Sequence, residues 1–427
     1  MNIRTGLLAA AVAASLCACA REPVEAGGDD ATGVAEAAAA APLTVDTHVD
    51  IPLDYMRDPK YDVGGDTELQ VDLGKMERGG LDAAFFVVYV GQGPLTDAGY
   101  ADAVAQADRK FSAIHMMLDK YPDRIRLATT PAQVRANHKA GLLSAMIGIE
   151  NAYSLGHELS RLDEAYARGA RYVGMTHVGN NDLCSSANPN EELGEPAHNS
   201  DGDAGISDFG RAVVERANAL GMMVDISHSS DNCVRDVLAL SKAPVIGSHS
   251  SARALVDVPR NLPDDLLRAI GEDGGVVQAV AYYQFVKDDP ERIAAEEALQ
   301  EQVARDAGAD EFEWDVHDKL PAYVEGMARI EREHPLATLQ DYVDHIDHMV
   351  EVAGIDHVGI ASDFDGGGGL TGWMDAGETP NVTAELRKRG YSEADIAKLW
   401  GGNLLRVWQA AIDAAAPEAG AADEAAK

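Results

Sequence analysis

The chain has 427 residues, of which 46% are apolar and 25% charged, with a formal net charge of −36. That length carries enough apolar sequence for one large barrel or two ordinary domains. The charge repels nucleic acid and anionic lipid surfaces, which sets nucleic-acid binding aside as a function, and most of the acidic excess reads as solvated surface.

At the start, Arg4 precedes an apolar run from Gly6 to Leu16 that ends in Leu16-Cys17-Ala18-Cys19. The run is too short to cross ~30 Å of hydrocarbon and reads as a signal peptide. Leu16 at −3 and Ala18 at −1 fit a lipoprotein cleavage site. Residues 1–19 are therefore expected to be the leader, with Cys19 acylated as the first mature residue. The protein is expected to be exported and lipid-anchored in the bacterial cell envelope, periplasmic or at the outer membrane. Ordinary cleavage at a nearby small residue is the alternative.

Residues 20–42 are Ala, Gly, Glu and Asp with almost nothing large to bury, the composition of a flexible tether. Residues 414–427 have the same composition and are expected to be a disordered tail, leaving 43–413 as the folded part. The two cysteines outside the leader, Cys184 and Cys233, could pair in an oxidising compartment, and the sequence leaves that open. No CxxC spacing exists, so thiolate zinc sites and thioredoxin-like redox chemistry have no support.

Short runs rich in Val and Ile alternate with stretches of helical period. They are Leu43 to Val49, Ala83 to Val90, Leu143 to Ile149, Tyr172 to Thr176, Met222 to Ile226, Pro244 to Gly247, Gly275 to Ala281 and His357 to Ala361. Eight strands with crossover helices predict an α/β fold, a (β/α)8 TIM-type barrel. Helices are expected at Ala101 to Lys120, Ser160 to Arg168, Asp208 to Leu220, Asn232 to Leu240 and Pro263 to Ile270, with Ser207 or Asp208 and Asn261 as caps. The charged, helix-prone segment Asp288 to His334 reads as an insertion after the seventh strand. It could cover the barrel mouth or mediate self-association, for instance as a homodimer.

Polar residues end most of the apolar runs. The first gives His48 and Asp50, the third Glu150, the fourth His177, the fifth His228, the sixth His249 and the eighth Asp363. All would converge at the C-terminal mouth, where barrel enzymes keep their active sites. A single histidine at a strand end is more often structural than a ligand, and repetition on six of eight strands reverses that preference. Residues i and i+2 of a strand face one side, so His48 and Asp50 can address one metal. Imidazole and carboxylate ligands without cysteine suit a hydrolytic zinc centre. His345 and His348 lie i, i+3 on a predicted helix, but Asp344 and Asp347 beside them read as a solvated face. His115, His138, His157, His198, His317, His334 and His357 read as structural or surface residues.

These residues resemble the membrane (renal) dipeptidase family of amidohydrolase-like zinc peptidases. The match runs through VDTHVDIP at Val45 to Pro52, GIEN at Gly148 to Asn151, THVGNND at Thr176 to Asp182, DISHSS at Asp225 to Ser230, and GSHSSARAL at Gly247 to Leu255. It continues in RNLPDD at Arg260 to Asp265, SDFDG at Ser362 to Gly366 and GGNLLRVW at Gly401 to Trp408. The resemblance implies two zinc ions per chain, His48 and Asp50 on one, His228 and His249 on the other, and Glu150 with a hydroxide bridging both.

It further implies that His177 contacts the substrate near the scissile carbonyl, Arg260 binds the terminal carboxylate, and Asp363 handles the proton. The expected reaction is hydrolysis of a dipeptide by the bridging hydroxide, made available near neutral pH because a metal lowers the pKa of bound water from 15.7 to around 7. The chain departs from the family after His177, where LCSSAN replaces a more usual acidic or tryptophan-containing stretch, which bears on substrate preference. A related binuclear hydrolase for another small amide, lactone or ester would have no need of Arg260. A solute-binding lipoprotein would have no need of convergent ligands.

Overall fold

The computed structural model describes residues 42–190, 204–313 and 316–424. The expected leader and all but the last residue of the expected tether lie outside the described residues. Nine strands form one parallel sheet: β1 (Val45–Val49), β2 (Ala83–Tyr89), β3 (Ile125–Leu127), β4 (Leu143–Glu150), β5 (Ala170–Gly174), β6 (Met223–Asp225), β7 (Ile246–Gly247), β8 (Val276–Val280) and β9 (Val358–Ala361). Eight of them run in the order β1-β2-β4-β5-β6-β7-β8-β9. The bridge between Val49 and Phe364 brings the last strand back to the first, with Asp50 N donating to Phe364 O at 2.9 Å and Asp363 N to His48 O at 3.1 Å. The result is the TIM-type barrel.

β3 is an addition to the expected eight and pairs with the first residues of β4, ahead of the stretch that β5 takes. β7 is only two residues long, because the chain turns at once into the Ser248 to Ser251 segment.

Alternation along the strands decides what faces the site. On β2, Phe86 and Val88 pack in the large cluster with the surrounding helices, while Phe85 and Val87 join Met146, Tyr172, Met223 and Trp408. Tyr89 and Glu150 continue the second phase to the mouth, two residues beyond Val87 and Gly148. Gly148 has to lack a side chain, since a Cβ there would lie 2.0 Å from the Tyr172 ring, which crosses the space above it.

The helix Asp208–Leu220 starts where the Ser207 hydroxyl accepts from Gly210 N at 3.0 Å. It ends at Gly221 in the left-handed region, φ 71°, where glycine carries no Cβ penalty. Asn261 is not a cap. Its amide donates to Val256 O and Phe285 O, and the helix there is Asp264–Glu272.

The insertion after the seventh barrel strand is helical, with Pro290–Ala307 packed on Pro321–Glu333 around Leu299, Val303, Tyr323 and Ile330. The final helix spans Asn403–Glu424, so helical backbone extends past residue 413, where the folded part was expected to stop. The alanine run that offers nothing to bury is also a strong helix former. Cys184 and Cys233 form a disulfide. No helix among the described residues is long and apolar enough to cross a membrane.

Candidate metal centre

Six side chains meet at the mouth around Glu150. His48 Nε2 lies 3.2 Å from Glu150 Oε2 and 3.4 Å from Asp50 Oδ2. On the other oxygen, Glu150 Oε1 is 3.1 Å from His228 Nε2, 3.4 Å from His249 Nε2 and 3.8 Å from His177 Nε2. Asp363 Oδ1 stands 3.9 Å from His48 Nε2. His48, Asp50, Glu150, His249 and Asp363 are buried, while His177 and His228 are half-buried at the rim. Three sets have ligand atoms close enough for one metal ion: His48 with Asp50 and Glu150, Glu150 with His177 and His228, and His48 with His249 and Asp363.

Hydrogen bonds behind the imidazoles set which nitrogen faces the cluster. The Ser248 hydroxyl donates to Asp225 Oδ2 at 2.6 Å, so it accepts from His249 Nδ1 at 2.8 Å. The Tyr172 hydroxyl donates to Thr47 O at 3.3 Å and accepts from His48 Nδ1 at 3.2 Å. Both rings thus bond Nδ1–H behind them and turn Nε2 toward the carboxylates, the orientation that ligating histidines usually have. His48 Nε2 is buried with no hydrogen-bond partner, and His228 Nε2 and His249 Nε2 stand only 2.9 Å apart. Unmatched buried nitrogens are costly, and cations between them and the carboxylates would satisfy them. The residues present therefore fit a metal.

The electrostatics are those of a dry pocket crowded with like groups. Burial opposes a charge on His48, yet Glu150 and Asp50 raise it well above the ordinary imidazole range. Burial also opposes charge on Glu150, and His48 and His177 outweigh it and hold the carboxyl well below its usual range. Burial pushes His228 and His249 well down, helped by the Arg260 guanidinium, and lowers His177. Burial pushes Asp363 up to about 8 against the pull of His48.

Arg260 is buried beside the cluster, its Nη1 donating to Ser250 Oγ at 2.8 Å and Nη2 to His249 O at 2.5 Å. Its Nε is buried without a partner. Burial lowers it to about 10, so it stays cationic at neutral pH.

The structure thus brings together His48, Asp50, Glu150, His177, His228, His249, Arg260 and Asp363. His345 departs from its expected solvated face. It is buried and accepts from Ala252 N at 3.1 Å, while Asp344 and Asp347 point outward to Arg389. Sequence reasoning gave no role to Tyr89, Tyr172, Asp225 or Ser248. Tyr89 OH lies 3.4 Å from His177 Nδ1, and strand alternation counted back from the mouth would have found it.

A family model described as membrane dipeptidase, peptidase family M19, matches residues 34–421. The chain is 32% identical over 343 residues to the dipeptidase aclJ of Aspergillus oryzae, covering 79% of this chain and 69% of that one. It is 30% identical over 365 residues to the dipeptidase ataJ of Aspergillus terreus, covering 82% and 78%. The crystal structure of the probable dipeptidase PvdM from Pseudomonas aeruginosa superposes with a TM-score of 0.76 at 35% identity, covering 87% of this chain and 96% of that one. The chain belongs to the membrane dipeptidase family of metallopeptidases.

Proposed function

We propose that the protein hydrolyses the peptide bond of dipeptides using two zinc ions. The observation that carries this reading is the placement of Glu150, whose two oxygens face separate groups of ligand atoms, His48 on one side and His228 with His249 on the other. In this reading His48 and Asp50 would hold one ion and His228 and His249 the other, with Glu150 shared between the two. Bound zinc would supply a bridging hydroxide near neutral pH and a Lewis acid for the scissile carbonyl.

The chain's own groups supply the rest. His177, kept neutral by burial, faces the pocket with Nε2 and can donate to the oxygen that gains charge. Asp363, which burial keeps protonated at neutral pH in the metal-free site, would be ionised by the charge of bound cations beside it, and its carboxylate oxygen would then accept the nucleophile's proton and return it to the departing amine. Arg260 receives the substrate's terminal carboxylate with the N–H groups not already given to Ser250 and His249. A cation so close to the ligand cluster leaves room for one residue beyond the scissile bond, which favours dipeptides over long chains. The Cys184–Cys233 bond supports an exported location, since disulfides persist in oxidising compartments.

The test is turnover by zinc-loaded protein of free dipeptides and of the same dipeptides amidated at the C-terminus. Free dipeptides should be cleaved and amidated ones poorly. Equal turnover would remove Arg260 from its role, and no turnover of any dipeptide would end the reading.

A further inference from the structure

His228 has a positive φ of 65°, a backbone state that a residue with a Cβ holds only when its surroundings impose it. The surroundings are a short strip of the chain that follows His177. Ser186 bridges antiparallel to Ser229, with Ala187 N donating to His228 O at 2.7 Å and Ser230 N donating to Ser185 O at 2.9 Å. The Ser186 hydroxyl also donates to His177 O and accepts from Asn188 N at 3.0 Å. One strip thus grips the backbone of both histidines that face Glu150 Oε1 from the rim. The strip is tied down by Asn180 and Asn181, whose Oδ1 atoms accept from Ser186 N at 2.8 Å and Cys184 N at 3.0 Å, and its one covalent tie to the His228 side is the bond from Cys184, its immediate neighbour, to Cys233. Cys233 lies in the first turn of the helix Asp231–Leu240, where its N–H donates to the Ser230 hydroxyl at 3.1 Å. Both sulfurs are buried.

We infer that the Cys184–Cys233 bond is a positioning device for His228: it pins residues 185–187 against 228–230, and that pairing keeps the imidazole in its left-handed backbone facing Glu150. The bond closes the ladder at the end where Ser185 and Ser230 meet. Without it no covalent link joins the strip to residues 228–230 at that buried end, where Ser230 N on Ser185 O is left as the direct bond between them. The polar partners of His48 and Asp50, on the opposite side of Glu150, lie outside the strip, so this side should be little affected by its loss. The inference rests on His228 being a zinc ligand.

The experiment uses the full chain, made metal-free and titrated with zinc against a chromophoric chelator, in native form and as Cys184→Ala/Cys233→Ala. Cys184→Ala/Cys233→Val refills the space if the first pair melts too low. His228→Ala and Asp50→Asn identify which affinity belongs to which side. Amide exchange at Ala187 and Ser230 reports the strip itself without metal. Loss of the bond should speed exchange at both amides and weaken zinc at the His228 side at least ~10-fold, the scale of an outer partner of a metal ligand, while the Asp50 side stays within ~3-fold. Unchanged exchange and affinities would overturn the inference. So would an equal loss at both sides, which is what general destabilisation gives. If the native chain takes up no zinc while the amides still loosen, the ligand reading of His228 fails and this inference with it, and the exchange data tell that result from the first.

Discussion

Gly366 lies at the mouth in the turn after β9, outside the left-handed region, so alanine there meets no backbone penalty. A Cβ at this position would lie 2.3 Å from Asp50 Oδ2 and 2.7 Å from Asp363 Oδ1. To reach ordinary contact the two oxygens must retreat by about 1 Å and about 0.7 Å, displacements at which packing forces become strongly repulsive. Carboxylate ends can swing, so the fold should survive Gly366→Ala with little change in melting temperature. The chemistry should not survive as well, since a misplacement of about 1 Å costs on the order of 100-fold.

The expected result is kcat/KM down ~100-fold, with weaker zinc binding on the Asp50 side. Steady-state kinetics on a dipeptide, paired with zinc analysis, reads both. Gly65→Ala is the control, because its Cβ would meet only Asp62 O at an ordinary 3.7 Å. A Gly366→Ala enzyme with native kcat/KM and native zinc content would refute the claim that these two carboxylates work where they stand.

Asp363→Asn should keep most of the zinc and lose turnover at least ~100-fold, the usual scale of a positioned acid/base group, with KM moving much less. Parallel loss of zinc would assign Asp363 to the ligands instead, as its place beside His48 and His249 allows. His345 is held down to about 4 by burial against about 6.5 in an unfolded chain. The unfolded state therefore binds the extra proton first, and stability present above pH 6.5 is lost as the pH falls toward 4, by about 3 kcal/mol. Urea unfolding of native protein and His345→Asn across that window should show the variant with the shallower pH slope, and identical slopes would sink this account. Cys19→Ser should release the protein from membranes in cells and change its mature mass. Equal membrane association with the same mass would contradict an acylated Cys19.

The barrel strands were legible because buried parallel strands read as continuous Val and Ile runs. β3 was not, since Ile125, Arg126 and Leu127 are too few to show a period. The ligand-type residues were legible because each ends a run, and β1 illustrates why: i, i+2 spacing puts His48 and Asp50 side chains 3.4 Å apart. Their supporting partners were hidden by distance in sequence. Nothing in the order of residues says that Tyr172 reaches His48, or that Ser248 passes a hydrogen bond from His249 to Asp225.

The misreading of His345 has a geometric cause. Helix neighbours turn by about 100° per residue, so Asp344 and Asp347 report on other faces. Tyr342, Ile346 and Met349, all buried, share the side of His345. The disulfide was undecidable because residues 49 apart are brought together only by the strip that follows His177.

The most direct test of the account is the zinc content of protein purified without chelator, measured beside Glu150→Gln and His228→Ala. The native chain should carry close to two zinc ions. Glu150→Gln should weaken both together, because both sets of nitrogens face that one carboxylate, whereas His228→Ala should mainly empty one. A reproducible native value near zero, with dipeptide hydrolysis unaffected by chelation, would contradict the two-zinc centre.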